Sequence, residues 1–443
     1  MLTRTMILRI HVLAWALGLW LTTPACADWP QFRGPQGDGH ADPQLTQLPI
    51  TWNASTNIAW QTEIPGHGWS SPIVVGDRIW LTTAEETALT TLERNAKLAA
   101  NPFAAEMQAH GDVKVFAVEI DARSGKLLRK LELAASEQPA PIHANNSYAS
   151  TTPVTDGARL ICHFGTLGTV CLAIPAGKVL WKRTFALDYM TGVASSPVLF
   201  GQQVILTCDA ADEQFVIALD KQTGETIWRT ARPKLAASDK MRHRAFSTPL
   251  VITHHDQAQL IVPGAQWVVS YDPTNGKEIW RANFGDCYST VPRPVYSAGL
   301  VYICTGYTKP TLAAIRVDGS GDVTATHIAW QVEKQVPEIA SPLVDQGLLY
   351  MVSAKGIATC LDAKTGESVW QERLGGNYSA SPLLAAGQLY FTSQEGTTHV
   401  LSPGRTFREL AKNQLFGHTR ASLAVYDKSL LLRTDTQLYR INE

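Results

Sequence analysis

The sequence predicts an all-β, eight-bladed β-propeller whose ring is closed by a strand from near the N-terminus. A unit of about 40 to 50 residues recurs along the chain. Each unit begins at a Ser/Thr-Pro step and ends in the motif Asp-x-x-Thr-Gly-x-x-x-Trp. Between these two motifs, apolar residues alternate with other residues in runs as long as a β-strand. Repeated units of this size with four short strands each are typical of propeller blades.

The starts of the units give the blade count. Seven of them carry a proline, and an eighth start at 421–423 has the same pattern without one. The first interval is the longest because residues 84–112, which are rich in helix formers, are predicted to insert a short helix into blade 1. The seven prolines are Pro72, Pro153, Pro197, Pro249, Pro294, Pro342 and Pro382.

The second half of each unit predicts a tight turn followed by an outer strand. The Asp carboxylate caps amides of the turn, and the Gly supplies a positive φ. The Trp that follows is predicted to pack between neighbouring blades, where its large face fills the space between two sheets. In the first unit Arg129 replaces it. The docking tryptophans are Trp181, Trp228, Trp280, Trp330 and Trp370.

Closure of the ring is predicted from the two ends of the chain. The last unit ends at Glu443 without an outer strand that carries a Trp. Residues 57–63, which include Trp60, have that character and are predicted to complete blade eight, which removes exposed sheet edges. Residues 57–443 are thus predicted to be one propeller, preceded by an extended segment over 28–56.

The first 27 residues predict export. Arg4 and Arg9 precede an apolar stretch that is short for a membrane span, and the sequence Ala-Cys-Ala at 25–27 fits a signal-peptidase site. A lipoprotein signal at Cys26 is the alternative, although Thr23 occupies the position where an aliphatic residue is usual. Both alternatives predict an exported protein, periplasmic or extracellular, and no later stretch predicts a transmembrane span.

Charge and cysteine content exclude several classes. The chain has 38 basic and 39 acidic residues, which disfavours a nucleic-acid partner. There is no Cys-x-x-Cys pair, and the adjacent His254 and His255 point apart, so no metal site is predicted. Cys162 and Cys171 flank a turn and are predicted to face each other across a hairpin, either as a disulfide or as two buried thiols.

The repeats resemble the tryptophan-docking motif of PQQ-type (pyrroloquinoline quinone) eight-bladed propellers, a superfamily that includes quinoprotein alcohol dehydrogenases and BamB. Residues 29–39 and the segments 163–168, 304–307 and 432–440 resemble a family of exported bacterial PQQ-like, BamB-like repeat proteins. That resemblance implies a monomeric, non-catalytic scaffold that binds another protein of the envelope. Quinoprotein dehydrogenases hold PQQ near a vicinal-cysteine disulfide and a calcium ion, and neither those cysteines nor the calcium ligands can be placed in this sequence.

A central funnel is the candidate binding site, because residues just before each inner strand point towards the axis of a propeller. Arginines, histidines and aromatic rings there predict a site for a small planar or anionic molecule. The alternative function is a PQQ-dependent oxidoreductase with a divergent site, for which PQQ would be the cofactor. The funnel residues are His67, Trp69, Asn146, Tyr148, Met190, Arg244, Phe246, Tyr288, Arg293, Glu338, Asn377, Tyr378, His418 and Arg420.

Overall fold

A computed structural model of the chain describes residues 28–101, 103–307 and 309–443, and it confirms the eight-bladed propeller. Eight sheets, each built on four antiparallel strands, surround one axis. In each sheet the first strand lies nearest the axis and the last lies at the outer edge. The predicted signal peptide and Cys26 lie outside the described residues.

The longest strands belong to blade 1, where they reach nine and ten residues. Blade 4 differs from the others because a short segment from blade 5 adds to its outer edge as a fifth strand, Gly321–Asp322. The strands are Ile73–Val75, Arg78–Glu86, Val113–Asp121 and Leu127–Ser136 in blade 1; Val154–Thr155, Arg159–His163, Thr169–Ala173 and Lys178–Arg183 in blade 2; Val198–Phe200, Gln203–Asp209, Gln214–Asp220 and Thr226–Ala231 in blade 3; and Leu250–His254, Gln257–Pro263, Trp267–Tyr271 and Glu278–Asn283 in blade 4.

Blades 5 to 8 have the same order, and blade 8 takes its outer strand from the N-terminal side. That strand, Ile58–Glu63, pairs antiparallel with Gln437–Ile441, so the predicted closure is confirmed. The strands are Val295–Ser297, Leu300–Cys304, Leu312–Arg316 and Ile328–Val332 in blade 5; Leu343–Asp345, Leu348–Val352, Ile357–Asp362 and Ser368–Arg373 in blade 6; Leu383–Ala385, Gln388–Thr392, Thr397–Leu401 and Glu409–Gln414 in blade 7; and Ala424–Tyr426, Ser429–Arg433, Gln437–Ile441 and Ile58–Glu63 in blade 8.

The predicted helical insertion in blade 1 is confirmed as the helix Thr91–Leu98. Thr90 and Glu93 form a capping box at its start, in which each side chain bonds the other residue's backbone N–H. Leu98 is buried against Met107 and Ala109. This contact fixes the insertion above blade 1, where Met107–Gln108 pairs with Ile142–His143 in a small separate sheet.

The docking tryptophans join each blade to the next one along the chain. Trp181 donates its indole N–H to the backbone oxygen of Lys221, 3.1 Å away, and its ring covers Gly224 of the same turn. Trp60 bonds Ala122 and Trp330 bonds Ala363 in the same way. A side chain on the turn glycine would collide with the indole, so this Gly is needed for contact as well as for its φ.

Two units depart from this pattern. Arg129 replaces the Trp in blade 1, and its guanidinium donates to the backbone oxygen of Ile174 in the turn of blade 2, so an arginine docks where tryptophan docks elsewhere. Trp280 is fully buried and bonds Gln259 of its own blade, because the turn of blade 5 has a divergent sequence.

The cysteine hairpin differs from the predicted geometry. Cys162 lies opposite Val170, and Cys171 lies opposite Ile161. A displacement of one residue puts the two side chains on opposite faces of the sheet. Both thiols are free and buried, so the structure supports the alternative of two buried thiols.

The segment before the propeller crosses its axis. Trp29 pairs with Val74 of blade 1, and His40 pairs with Leu384 of blade 7. From there the chain passes over blades 7 and 8, where Trp52 is buried and its backbone N–H bonds Asn413. We call residues 29–40 the axial segment. Among the described residues, no helix has both the length and the apolar character needed to cross a membrane.

Candidate functional site

A funnel of about 460 Å³ lies on the propeller axis and is the candidate site. Its volume falls within the range of small-molecule sites in proteins, roughly 300–1,000 Å³. The inner ends of all the blades reach it, and the blade 1 insertion forms part of one side. The axial segment closes its inner end through Phe32.

A belt of hydroxyl groups forms the lower wall of the funnel. The Ser or Thr before each inner strand accepts a hydrogen bond of 2.9 to 3.0 Å from the backbone N–H of the equivalent residue in the preceding blade, and the last bond joins blade 8 back to blade 1. The belt is interrupted at blade 5, where Arg293 has no hydroxyl to accept a bond. Its hydroxyl members are Ser71, Thr152, Ser196, Thr248, Ser341, Ser381 and Ser422.

Arg293 has a different role from its neighbours in the belt. It is buried, and its guanidinium donates to the backbone oxygen of Phe32 at 2.7 Å and to that of Pro249 at 3.1 Å. Burial, reinforced by the nearby Arg33, lowers the pKa of Arg293 to about 9. This arginine therefore holds the axial segment in place and does not face the funnel, which corrects the sequence prediction.

Two other arginines do line the funnel. Arg244 donates to the backbone oxygen of Met241 and to the hydroxyl of Thr191. Arg420 donates to the side-chain oxygen of Asn145, and its guanidinium lies 5.7 Å from the Trp69 ring centre. Burial lowers the pKa of both arginines. No carboxylate among the described residues pairs with either of them, so both guanidinium groups can donate charged hydrogen bonds to an anion.

The upper rim of the funnel is apolar and exposed. Phe103, Tyr307 and Ile339 lie there, and more than a third of each side chain is in contact with solvent. Glu338 adds a carboxylate without a partner among the described side chains. Such a rim can pack against an apolar surface, while the deeper arginines offer charged hydrogen bonds.

Seven of the residues predicted for the funnel line it in the structure. They come from six blades, numbers 1, 2, 4, 5, 6 and 8, and each precedes the inner strand of its blade. They are Trp69, Asn146, Arg244, Phe246, Tyr288, Glu338 and Arg420.

The other predicted residues do not line it. His67 and His418 flank the Trp69 ring at 4.8 and 5.6 Å. Tyr148 is buried and donates to the backbone oxygen of Ala140, and Asn377 is bonded to Glu395. Tyr378 is buried, and Met190 and Arg293 lie next to lining residues without contributing to the lining.

Sequence reasoning missed three groups of lining residues. The belt hydroxyls lie within the Ser/Thr-Pro steps that marked each blade, so a signal was present, although its role was not recognised. Phe103, Glu106 and Met107 belong to the blade 1 insertion, whose position above the funnel has no sequence signal. Phe32 lies in the segment that was predicted only to be extended.

The histidines make ordinary hydrogen bonds. His254 is 2.9 Å from the hydroxyl of Tyr296, and His163 is buried and bonded to Thr169. In the described part of the chain, no three side chains of the His, Cys, Asp or Glu type converge in a way that could hold a metal ion.

Comparison with solved structures identifies relatives of two kinds. BamB from Moraxella catarrhalis aligns with 13% identity over 90% of this chain and 100% of its own, with a TM-score of 0.57. A europium-containing methanol dehydrogenase aligns with 10% identity over 94% of this chain and 98% of its own, with a TM-score of 0.62. Quinohemoprotein alcohol dehydrogenase from Comamonas testosteroni has 10% identity, a TM-score of 0.62, and coverage of 94% and 80%.

At these identities the likeness concerns the fold alone. No curated protein sequence matches the chain. The family model described as outer membrane protein assembly factor BamB matches residues 46–230, 110–372 and 264–439, which together span nearly the whole propeller. This chain therefore belongs to the BamB family of PQQ-repeat propellers.

Proposed function

We propose that this chain is an exported, non-catalytic scaffold of the cell envelope that binds another envelope protein through the mouth of the funnel. The observation that carries the proposal is the combination of an exposed apolar rim with two arginines that pair with no carboxylate of the described residues. Aromatic residues and arginine are the types most enriched in the energetic centres of protein interfaces. Membership of a family described as an outer membrane assembly factor agrees with this role.

The test is affinity capture from the envelope extract of the source organism, with residues 28–443 as bait. A variant with Phe103→Ser and Tyr307→Ser serves as the matched bait, because both side chains are exposed and their loss leaves the core intact. We expect a protein retained by the wild type and lost with the variant. Recovery of nothing beyond a tag-only control contradicts the proposal.

A second candidate is a PQQ-dependent oxidoreductase with a divergent site. It is favoured by one specific feature, the pair Arg244 and Arg420 in a funnel that could admit a planar tricarboxylate such as PQQ. The described residues offer the charges that would hold PQQ carboxylates. They offer no cluster of ligands for a metal ion beside it.

Titration with PQQ separates the two candidates. Binding beside Trp69 is expected to quench tryptophan fluorescence, and the variant with Arg244→Gln and Arg420→Gln is expected to lose the quenching. No quenching at tens of micromolar PQQ, with and without calcium, removes this candidate. Quenching without dye reduction in the presence of alcohols or sugars would indicate a ligand site and no dehydrogenase.

A further inference from the structure

The outer edge of blade 2 differs from the other blade edges in charge. Its strand, Lys178–Arg183, has the sequence Lys-Val-Leu-Trp-Lys-Arg and contains no acidic residue. Lys178, Lys182 and Arg183 form no hydrogen bond or ion pair through their side chains with any described residue. On blades 1 and 3, by contrast, Arg129 pairs with Glu119 and Arg229 pairs with Glu213.

The same edge exposes two adjacent apolar side chains. Val179 and Leu180 are 42% and 45% exposed. Leu180 is the extra residue of a β-bulge, since Cys171 pairs with Trp181 and Leu172 pairs with Val179. A bulge re-aims a side chain away from the sheet. Lysine alone on an edge protects against aggregation, but two exposed aliphatic residues beside it favour contact with another chain.

Blade 4 shows what such an edge can accept. The segment Gly321–Asp322 pairs in parallel with its outer strand, with Trp280 opposite Gly321 and Arg281 opposite Asp322. The Asp322 carboxylate lies 4.0 Å from the Arg281 guanidinium. An added strand thus places an acid against the cation that follows the docking tryptophan.

Lys182 holds the corresponding position on blade 2, directly after Trp181. Among the described strands, the outer strand of blade 2 pairs only with Thr169–Ala173, on its inner side. Its outward backbone groups are therefore open to a further strand, and the three cations set the charge that this strand must carry.

We propose that the outer edge of blade 2 binds an acidic, extended polypeptide segment of another protein, which adds as a fifth strand. Main-chain hydrogen bonds supply affinity, and carboxylates opposite Lys178, Lys182 and Arg183 supply specificity. This inference goes beyond the proposed function, because it concerns a surface at the rim of the ring and not the funnel. An anionic lipid surface offers the charge but no backbone partner for the strand.

The probe is a synthetic peptide of Val and Thr in which Asp and Glu stand in adjacent pairs, so that carboxylates lie on both faces of the added strand. The control peptide has Lys at the acidic positions. Binding is measured by fluorescence anisotropy with residues 28–443, and the site by amide hydrogen exchange. We expect the acidic peptide alone to bind and to slow exchange in Lys178–Arg183.

Two triple variants, each of which loses three positive charges, define the site. Neutralising the edge with Lys178→Gln, Lys182→Gln and Arg183→Gln is expected to weaken binding by about ten-fold. The control, Lys364→Gln, Arg373→Gln and Lys412→Gln, removes three exposed cations from blades 6 and 7 and is expected to bind as the wild type does. The funnel variant with Arg244→Gln and Arg420→Gln is also expected to bind the peptide, which separates this surface from the funnel.

Several results overturn the proposal. These are no binding of the acidic peptide, equal loss of binding in both sets of variants, and binding without slower exchange in Lys178–Arg183. Binding of phosphatidylglycerol vesicles without binding of the peptide would replace the polypeptide with a lipid surface.

Discussion

At the scale of single residues, glycine and tryptophan act as one unit across the blade boundary. The turn glycine of one blade has a positive φ and lies under the indole of the blade before it, as Gly224 does under Trp181. The sequence motif contains both residues, but the Gly and the Trp of one repeat do not contact each other. Each contacts its counterpart in a neighbouring repeat. The contact is therefore a property of the ring.

Replacing Gly224 by Ala tests this contact. The new Cβ would lie 2.7 Å from the Trp181 ring, and a φ of +74° adds backbone strain. We expect a loss of about 2 to 4 kcal/mol in the free energy of unfolding, measured with urea. Gly201→Ala is the control, since Gly201 also has a positive φ but no atom within 4 Å. Equal losses in the two variants would contradict the indole contact.

His163 gives the protein a dependence on pH. Burial lowers its pKa from 6.5 to about 4. The unfolded chain therefore binds a proton more readily than the folded protein between these two values, and stability is lost as the pH falls from 6.5 to 4. For one group the loss approaches about 3 kcal/mol.

Denaturant unfolding at pH 7 and pH 4.5 measures this effect. His163→Gln is expected to be less stable than the wild type at pH 7 but to lose less stability between the two pH values. His255→Gln, at an exposed histidine, is expected to keep the wild-type dependence. An unchanged slope in His163→Gln would show that other groups cause it.

At the scale of elements, the inner strands are joined by the belt of hydroxyls. Each Ser or Thr before an inner strand accepts a backbone hydrogen bond from the preceding blade, and blade 5, with Arg293 at this position, is the exception. The proline that follows marks the strand start in the sequence. The belt explains why the Ser/Thr-Pro step recurs, and it gives the funnel a polar lower wall.

Ser196→Ala removes one acceptor from the belt. The buried backbone N–H of Thr152 then has no partner, which is expected to cost about 1 to 3 kcal/mol of unfolding free energy. Thermal and urea unfolding measure the change against Ser320→Ala, where the serine is exposed. A Ser196→Ala protein as stable as this control would indicate that the N–H has found another acceptor.

At the scale of the whole molecule, the axial segment joins blades that are distant in sequence. Its residues bond blades 1, 2, 5 and 7, and its continuation becomes the outer strand of blade 8. It therefore closes the inner end of the funnel and leads the chain to the strand that completes the ring. Phe32 and Arg293 are the points where this segment meets the site.

Arg293→Met tests whether the axial segment depends on its arginine. Loss of the bond to the backbone oxygen of Phe32 is expected to speed amide exchange in residues 29–40 by about ten-fold or more, with a lower melting temperature. Arg420→Met removes the same charge from the funnel wall without contacting the axial segment. Amide exchange of residues 29–40 in this variant is expected to match the wild type. Unchanged exchange in Arg293→Met would show that the segment is held by its other contacts.

The sequence by itself determined the blade count, the turn chemistry, the docking tryptophans and the strand that closes the ring. These features are local patterns that repeat, so each copy reinforces the assignment of the others. Trp69, Arg244 and Arg420 were predicted for the funnel from their position before an inner strand, and they line it, whereas Arg293, predicted on the same ground, holds the axial segment.

Only the tertiary structure decided the features that depend on strand register or on contacts between residues far apart in the sequence. The one-residue displacement between Cys162 and Cys171 is set by the register of a hairpin, and the partner of Arg293 lies 261 residues away in Phe32. The hydroxyl belt forms only when neighbouring blades pack side by side, and its last bond, from Ser422 to Ser71, needs the closed ring. A repeat pattern specifies each blade, whereas the contents of the axis depend on how eight blades and a non-repeating segment pack together.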